Sequence, residues 1–235
     1  MIQKSVQNVA SELLFGDVDE DLILLEKFNS RFHKDVIQPI NDLANAAEQE
    51  GFFFKVASSF RSFERQLLIW NDKAAGIRPV LDDGGAPIDL APLSDTQKVF
   101  AILRWSALPG ASRHHWGTDF DVYDSSRITP DYTLQLTVDE TEGDGPFAKF
   151  HQWLTVELEY NSRGFFRPYR QGVGGIAPEP WHLSYAPVAN HYAFQLSREI
   201  LHKKIQATEI TLKESILENL DVIYEHYIKP YCHSS

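Results

Sequence analysis

Cysteine is almost missing from this chain: one residue, Cys232, in 235. An internal disulfide is thereby excluded, and a lone thiol near the end fits a reducing compartment without implying a role. Basic residues are also few, 22 Lys and Arg against 33 Asp and Glu, for a formal net charge of −11. Nucleic acid is therefore not an expected partner, because backbone phosphates demand a basic footprint. Tight adhesion to an anionic wall or membrane is disfavoured on the same ground. No apolar run approaches the roughly eighteen residues of a membrane span, so no membrane partner is expected either. Residues 1–15 lack a basic start followed by an apolar run, and Asp17, Asp19, Glu20 and Asp21 follow at once. No secretory signal is read there, and a cytoplasmic location is the expectation.

What the chain does have is the material of a globular protein, with 43% hydrophobic and 12% aromatic residues. A single domain over 1–235 is expected, with a motif-bearing core at about 33–204, an N-terminal segment 1–32 and a C-terminal helical addition 205–235. Chemistry concentrates in two stretches. From Ser112 to Asp121 a loop holding His114 leads into a short strand at 118–123. Alternate residues of a strand share a face, so Asp119, Asp121 and Tyr123 point one way and Phe120 and Val122 the other. Far along the chain, Glu179 stands three residues before His182 on a segment stiffened by Pro178 and Pro180. His114, Asp121 and His182 make a three-ligand set that leaves a position for water, the arrangement of catalytic zinc. Zinc, one ion per chain, is the default for imidazole and carboxylate donors. A nearby carboxylate that is not a ligand, Glu179, is what such a site needs as general base.

These stretches resemble the motifs of the zinc D-Ala-D-Ala carboxypeptidases, a superfamily shared with lysostaphin-type endopeptidases and the hedgehog signalling domain. Ser112, His114, Gly117 and Asp121 match the first motif, with Asp119 where alanine is usual. Glu179, Trp181 and His182 match a second, and Ser58, Arg61, Ser62 and Gln66 match a third, with Ser59 and Phe60 in place of Gly and Tyr. The motifs occur in family order over residues 58–185. The resemblance implies that Glu179 is the catalytic base and that Arg61 grips the free C-terminal carboxylate of a peptide. A guanidinium suits that task by bidentate pairing, whereas the plain alternative for Arg61 is an ion pair with Glu64 or Asp72. Gln66 and Ser112 are candidate helpers in substrate binding. Asp119 is expected either to steady a ligand histidine or to meet the amino group of a substrate.

Elsewhere the pattern is ordinary. Residues 22–28 read as a packing segment. Apolar spacing predicts helices at about 36–50 and 62–75, with a buried strand at 52–57 between them. Pro and Gly make 77–92 an irregular loop that could wall a cleft. Ser94 and Gln97 form a capping box opening a helix to about 106. A half-exposed strand is expected at 133–138 and a helix after Pro146. Gly172, Gly174 and Gly175 read as a flexible approach to Glu179. A strand at 181–185 should lie beside 118–123, with helices at 187–204 and 211–228 ending the chain. The expected fold class is α+β, a small antiparallel sheet carrying the zinc site and backed by helices. His33, His151, His191, His202, His226 and His233 are expected to be structural or exposed, and His115 to point away from the metal, either at the surface or supporting the ligand residues from behind. Trp116 and Trp181 are expected to pack around the site.

The expected activity is zinc-dependent removal of a C-terminal D-amino acid, most simply D-Ala, from a peptidoglycan stem peptide. Cleavage of the L,D bond of tetrapeptides during peptidoglycan recycling is the preferred form. Cleavage of D-Ala-D-Ala ends is the alternative within the class. A non-catalytic zinc module, or a wall-lysing endopeptidase, are the readings outside it.

Overall fold

The computed structural model describes residues 10–232. His233 lies outside the described residues. Its centre is a four-stranded antiparallel sheet of β3 (Phe54–Ser58), β4 (Asp119–Asp124), β6 (His182–Tyr185) and β5 (Phe165–Phe166), in that spatial order. A separate hairpin, β1 (Leu22–Leu25) and β2 (Ser30–His33), precedes it. Residues 22–28 were expected to pack inward, yet Ile23 and Leu24 are exposed on this hairpin and the inward anchors are Phe28 and Phe32.

The sheet gathers Asp119, Asp121 and His182 on one face because its two middle strands are in register by type. Phe120 stands opposite Leu183, while Asp121 stands opposite His182 and Asp119 opposite Ser184. With side chains alternating between faces, that register puts Phe120, Val122 and Leu183 on one side and Asp119, Asp121, His182 and Ser184 on the other. Phe120, Val122 and Leu183 are covered by α2 (Ile37–Gln49) and α6 (Ala148–Tyr160), through Ile40, Leu43, Phe150 and Leu154. Pro39 is tolerated in the first turn of α2, where its missing N–H would have no intrahelical partner. The 52–57 segment is a half-exposed edge strand, not a buried one: Phe54 faces the core, whereas Phe53 just before it is exposed.

A second core lies on the far side of the motif loop. It joins α1 (Ser11–Phe15), α3 (Phe63–Ala74), α4 (Asp95–Leu103), α7 (Ala186–Gln195) and α8 (Arg198–Gln206) with the C-terminal segment. Leu14 and Phe15 from one end and Ile216, Leu220 and Ile223 from the other meet there, so the apolar stripe of the last helices has its partner. The expected long helices are broken. Ser197 caps a new helix by accepting from the Ile200 N–H, and Asn219 ends another by bonding back to the Ser215 carbonyl. The 133–138 strand does not form. Thr137 and Glu140 make a capping box for the short α5 (Val138–Thr141), and Glu140 also accepts from the Gln135 N–H and the Tyr132 hydroxyl, drawing the segment into a loop. Among the described residues no helix is long and apolar enough to cross a membrane. The whole is an α+β architecture with small antiparallel sheets backed by helices.

Candidate metal centre and active-site cleft

The polar face of β4 and β6 carries the centre. Its third donor comes from a 3-10 turn, Arg113–Trp116, closed by Gly117 at φ +65°. A Cβ at Gly117 would fall 2.4 Å from a Leu22 methyl carbon and 2.8 Å from the His33 nitrogen, so both conformation and space require glycine. One ligand atom each of His114, Asp121 and His182 then lies within 4.8 Å of the others, and all three residues are buried.

Hydrogen bonds on the outer side of each ring fix which nitrogen faces inward. His114 Nδ1 is 2.8 Å from the Ser59 carbonyl, which only accepts, so Nδ1 carries the proton and Nε2 is bare, 3.5 Å from Asp121. His182 Nε2 is 3.0 Å from Asp119 Oδ1, which leaves its Nδ1 facing Asp121 Oδ1 at 3.1 Å. Neither of these two atoms has a hydrogen-bond partner. Two buried lone pairs held face to face need a cation between them, either a proton or a metal ion. Burial opposes charge on His182, but the Asp119 bond and the close carboxylates of Asp121 and Glu179 override it and push its pKa well above the usual imidazole range. The site without metal thus holds a proton where a dication would displace it. Two imidazoles and one carboxylate, buried and pre-oriented, fit zinc.

Glu179 reaches the same point from a turn in which the His182 N–H bonds the Glu179 carbonyl. Its Oε2 is 3.4 Å from His182 Nδ1, and burial raises its pKa despite the pull of His182. The approach to it is packed, not flexible as expected. A Cβ at Gly175 would lie 2.4 Å from the Tyr227 ring, one at Gly174 2.5 Å from the Tyr231 hydroxyl, and Ile176 donates to that hydroxyl. His114, Asp121, His182, Glu179, Arg61 and Ser112 line one cleft of about 260 Å³. Trp181 also borders it, while Trp116 is buried and stacked on Tyr192.

Arg61 makes no ion pair with Glu64 or Asp72. Its guanidinium is held by Gln66 Oε1 at 2.8 Å and Ser58 Oγ at 3.0 Å. Burial lowers its pKa, and Asp121 and Glu179 counter that. Two residues proposed to bind substrate do not face the cleft. Gln66 is buried behind Arg61, with its amide donated to the Ala107 carbonyl, so it orients the guanidinium. Asp119 is 0% exposed and fully engaged by His182, Arg113, Thr118 and Ser184. Of its two expected roles only the steadying of a ligand histidine is open to it. Burial would raise its pKa, but Arg113 and the His182 bond prevail and hold it at about 2.

Over residues 29–188 the chain matches the family model VanY, D-alanyl-D-alanine carboxypeptidase. The chain belongs to the VanY family. An uncharacterized protein of Haemophilus influenzae is 47% identical over 100 residues, which are 41% of this chain and 68% of that protein. A D-alanyl-D-alanine carboxypeptidase of Enterococcus faecalis is 26% identical over 152 residues, 63% of this chain and 46% of that protein. The fold is similar to that of VanYB in complex with D-alanine-D-alanine, with a TM-score of 0.51 at 22% identity over 85% of this chain and 89% of that one. It is equally similar to the LdcB LD-carboxypeptidase, with a TM-score of 0.51 at 20% identity over 86% and 79%. As a VanY-family member the protein is a metallocarboxypeptidase of the peptidoglycan-directed class, and zinc is the ion its donor set suits.

Two residues of this VanY-family site, Arg113 and Ser184, were not legible in the sequence, and His115 takes the supporting one of its two expected roles. Arg113 is buried and donates to Asp119 at 2.7 Å, to Ser184 at 2.6 Å and to the Tyr231 carbonyl at 2.7 Å. His115 is buried rather than at the surface and binds the Arg61 carbonyl through Nδ1 at 2.7 Å. With the Arg61 N–H to His114 carbonyl bond, it ties the arginine loop to the metal loop. Ser184 completes the shell of Asp119. The one hint was Asp119 itself, an acid in place of alanine with an arginine six residues before it. Since partners behind a ligand histidine set its tautomer and basicity, Asp119→Asn is expected to weaken zinc binding about 10- to 100-fold, measured by competition with a chelator.

Proposed function

We propose that this enzyme releases the terminal D-amino acid from peptidoglycan tetrapeptides, as an L,D-carboxypeptidase of peptidoglycan recycling. The observation that carries the carboxypeptidase part is the pre-oriented Arg61 guanidinium in the same cleft as the three ligand atoms and Glu179. His114, Asp121 and His182 would hold the zinc ion. When bound, zinc supplies Lewis acidity, polarising the scissile carbonyl and lowering the pKa of a water toward about 7. Glu179 takes the proton of the attacking water and hands it to the departing amine. Arg61 holds the terminal carboxylate and so sets which bond lies against Glu179, a positioning effect. Ser112, whose buried hydroxyl has no partner and which lines the cleft, adds a hydrogen bond to the substrate.

The bond preference is supported by the space next to the catalytic cleft. D,D-cleavage places D-Ala at the scissile carbonyl, with the diamino acid one residue further upstream, whereas L,D-cleavage places the long diamino acid at that carbonyl itself. Trp105 and Tyr169 line both the catalytic cleft and a neighbouring groove of about 700 Å³, and Pro178 and Pro180 on either side of Glu179 line that groove. This is room for the larger residue. Tetrapeptides returned from the wall are found in the cytoplasm, and that location is part of the proposal.

The test compares L-Ala-γ-D-Glu-diaminopimelate-D-Ala with its D-Ala-D-Ala counterpart as zinc-enzyme substrates. A higher kcat/KM for the tetrapeptide is expected, and preference for the pentapeptide would overturn the bond assignment. A tetrapeptide amidated at its C-terminus should be cut poorly, and Arg61→Ala should lose the distinction between acid and amide. Charge-assisted pairing puts that loss at about 10- to 100-fold in KM. An enzyme that cuts acid and amide equally well is an endopeptidase.

A further inference from the structure

The groove next to the catalytic cleft holds a positive charge that the reaction just described does not use. Arg167, one residue past the short strand β5, lines it together with His151 of α6. The Arg167 guanidinium bonds only to neutral groups: Thr155 Oγ1 at 2.7 Å, His151 Nδ1 at 3.3 Å and the His151 carbonyl at 3.4 Å. No carboxylate among the described residues lies within ion-pair distance of it. Arg104, on the same groove, is by contrast bonded to Asp83 at 2.5 Å. Two further N–H groups are left without acceptors. Arg167 Nε is buried and unpartnered, as is His151 Nε2. Because Arg167 donates to His151 Nδ1, the neutral imidazole carries its proton on Nε2, so this orphan too is a donor. Burial holds His151 neutral, with a pKa of about 3, and lowers Arg167 to about 10 with no acid to restore it.

A part-buried guanidinium without a counter-ion is costly, and stability gives no reason to keep it. The acids on the groove, Asp83, Asp139 and Glu142, are all exposed. Donors in excess at the inner wall call for an acceptor with negative charge, and the same groove is lined by Pro178 and Pro180, the two neighbours of Glu179 in the chain. We propose that Arg167, supported by His151, is an anion subsite for a carboxylate carried upstream of the cleaved bond. The substrate class is an acidic peptide, as distinct from a neutral one with the same terminal residue. This inference rests on the stem-peptide reading and deepens it: the γ-linked D-Glu and the diaminopimelate side chain each carry such a carboxylate. Arg167 is here a specificity residue, remote from the reacting atoms.

The experiment uses the zinc enzyme and peptides that differ only in upstream charge. One pair is L-Ala-γ-D-Glu-L-Lys-D-Ala and its D-isoglutamine analogue; the other exchanges L-Lys for diaminopimelate. Removing the recognised carboxylate is expected to raise KM about 10- to 100-fold with kcat little changed, as for a lost charge-assisted hydrogen bond. Arg167→Gln should show the same rise on the acidic peptide and no further rise on the neutral one, with an unchanged or higher Tm. A merely structural arginine would instead lower Tm and affect both peptides alike. The proposal is overturned if wild-type KM differs by less than about twofold within both pairs, or if Arg167→Gln shifts both members equally. Should the variant fail to fold, the wild-type pairs decide alone. Should the wild type cleave none of these peptides, the stem-peptide reading fails; calorimetric binding of the acidic and neutral members then still decides the subsite.

Discussion

His114→Ala and His182→Ala are each expected to reduce bound zinc from one ion per chain to near none and to remove measurable peptide hydrolysis. The three donors are single atoms from three residues within 4.8 Å of one another, so no spare donor of the set can replace a lost imidazole. The two variants should differ in their metal-free state. His182 is the group that answers Asp119, Asp121 and Glu179, at 3.0, 3.1 and 3.4 Å. Without it Asp121 and Glu179, both on its Nδ1 side, lose their shared cation while Asp119 keeps Arg113, and like charges close together drive one of the two to take up a proton. The apo form of His182→Ala should therefore have a lower Tm at neutral pH than that of His114→Ala, and should recover as the pH falls and the carboxylates neutralise. Metal analysis and thermal melts across pH check this; full zinc occupancy in either variant would refute the ligand set.

Glu179→Gln is expected to retain zinc while losing about 10²- to 10⁴-fold in kcat, the usual worth of a positioned general base. Its Oε2 lies 3.4 Å from His182 Nδ1 and the residue lines the same cleft as the three donors. The pH profile adds a sign. Burial raises the Glu179 pKa above its ordinary value, with Asp121 adding to this and His182 and Arg61 opposing it. A base must be deprotonated to act, so kcat/KM should fall with decreasing pH, starting above the ordinary glutamate range of about 4.3. Glu179→Gln should flatten that acidic limb. Near-parental turnover in this variant would move the base elsewhere.

The donor set was legible in the amino-acid sequence because each of its parts is a local pattern. Asp121 shares a strand face with Asp119 by the two-residue period, a glycine turn holds His114, and Glu179 precedes His182 by three residues on a segment bounded by prolines. The facing of 118–123 by 181–185 also followed, since only one register puts Phe120 against Leu183 and leaves the acids to meet the histidine. The helices over 36–50 and 62–75 and the capping box at Ser94 rest on equally local spacing. The tertiary structure alone decided where each side chain of these motifs points. Gln66 turns behind Arg61 because Ala107, 41 residues on, supplies the acceptor for its amide. Asp119 turns from the cleft because Arg113 is fixed by the carbonyl of Tyr231, 118 residues away. Arg167 stands without an acid because of what packs around it, which no spacing along the chain encodes. Periodicity and capping are properties of residues a few positions apart. The partner of a buried charge is set by which distant segments the cores bring together.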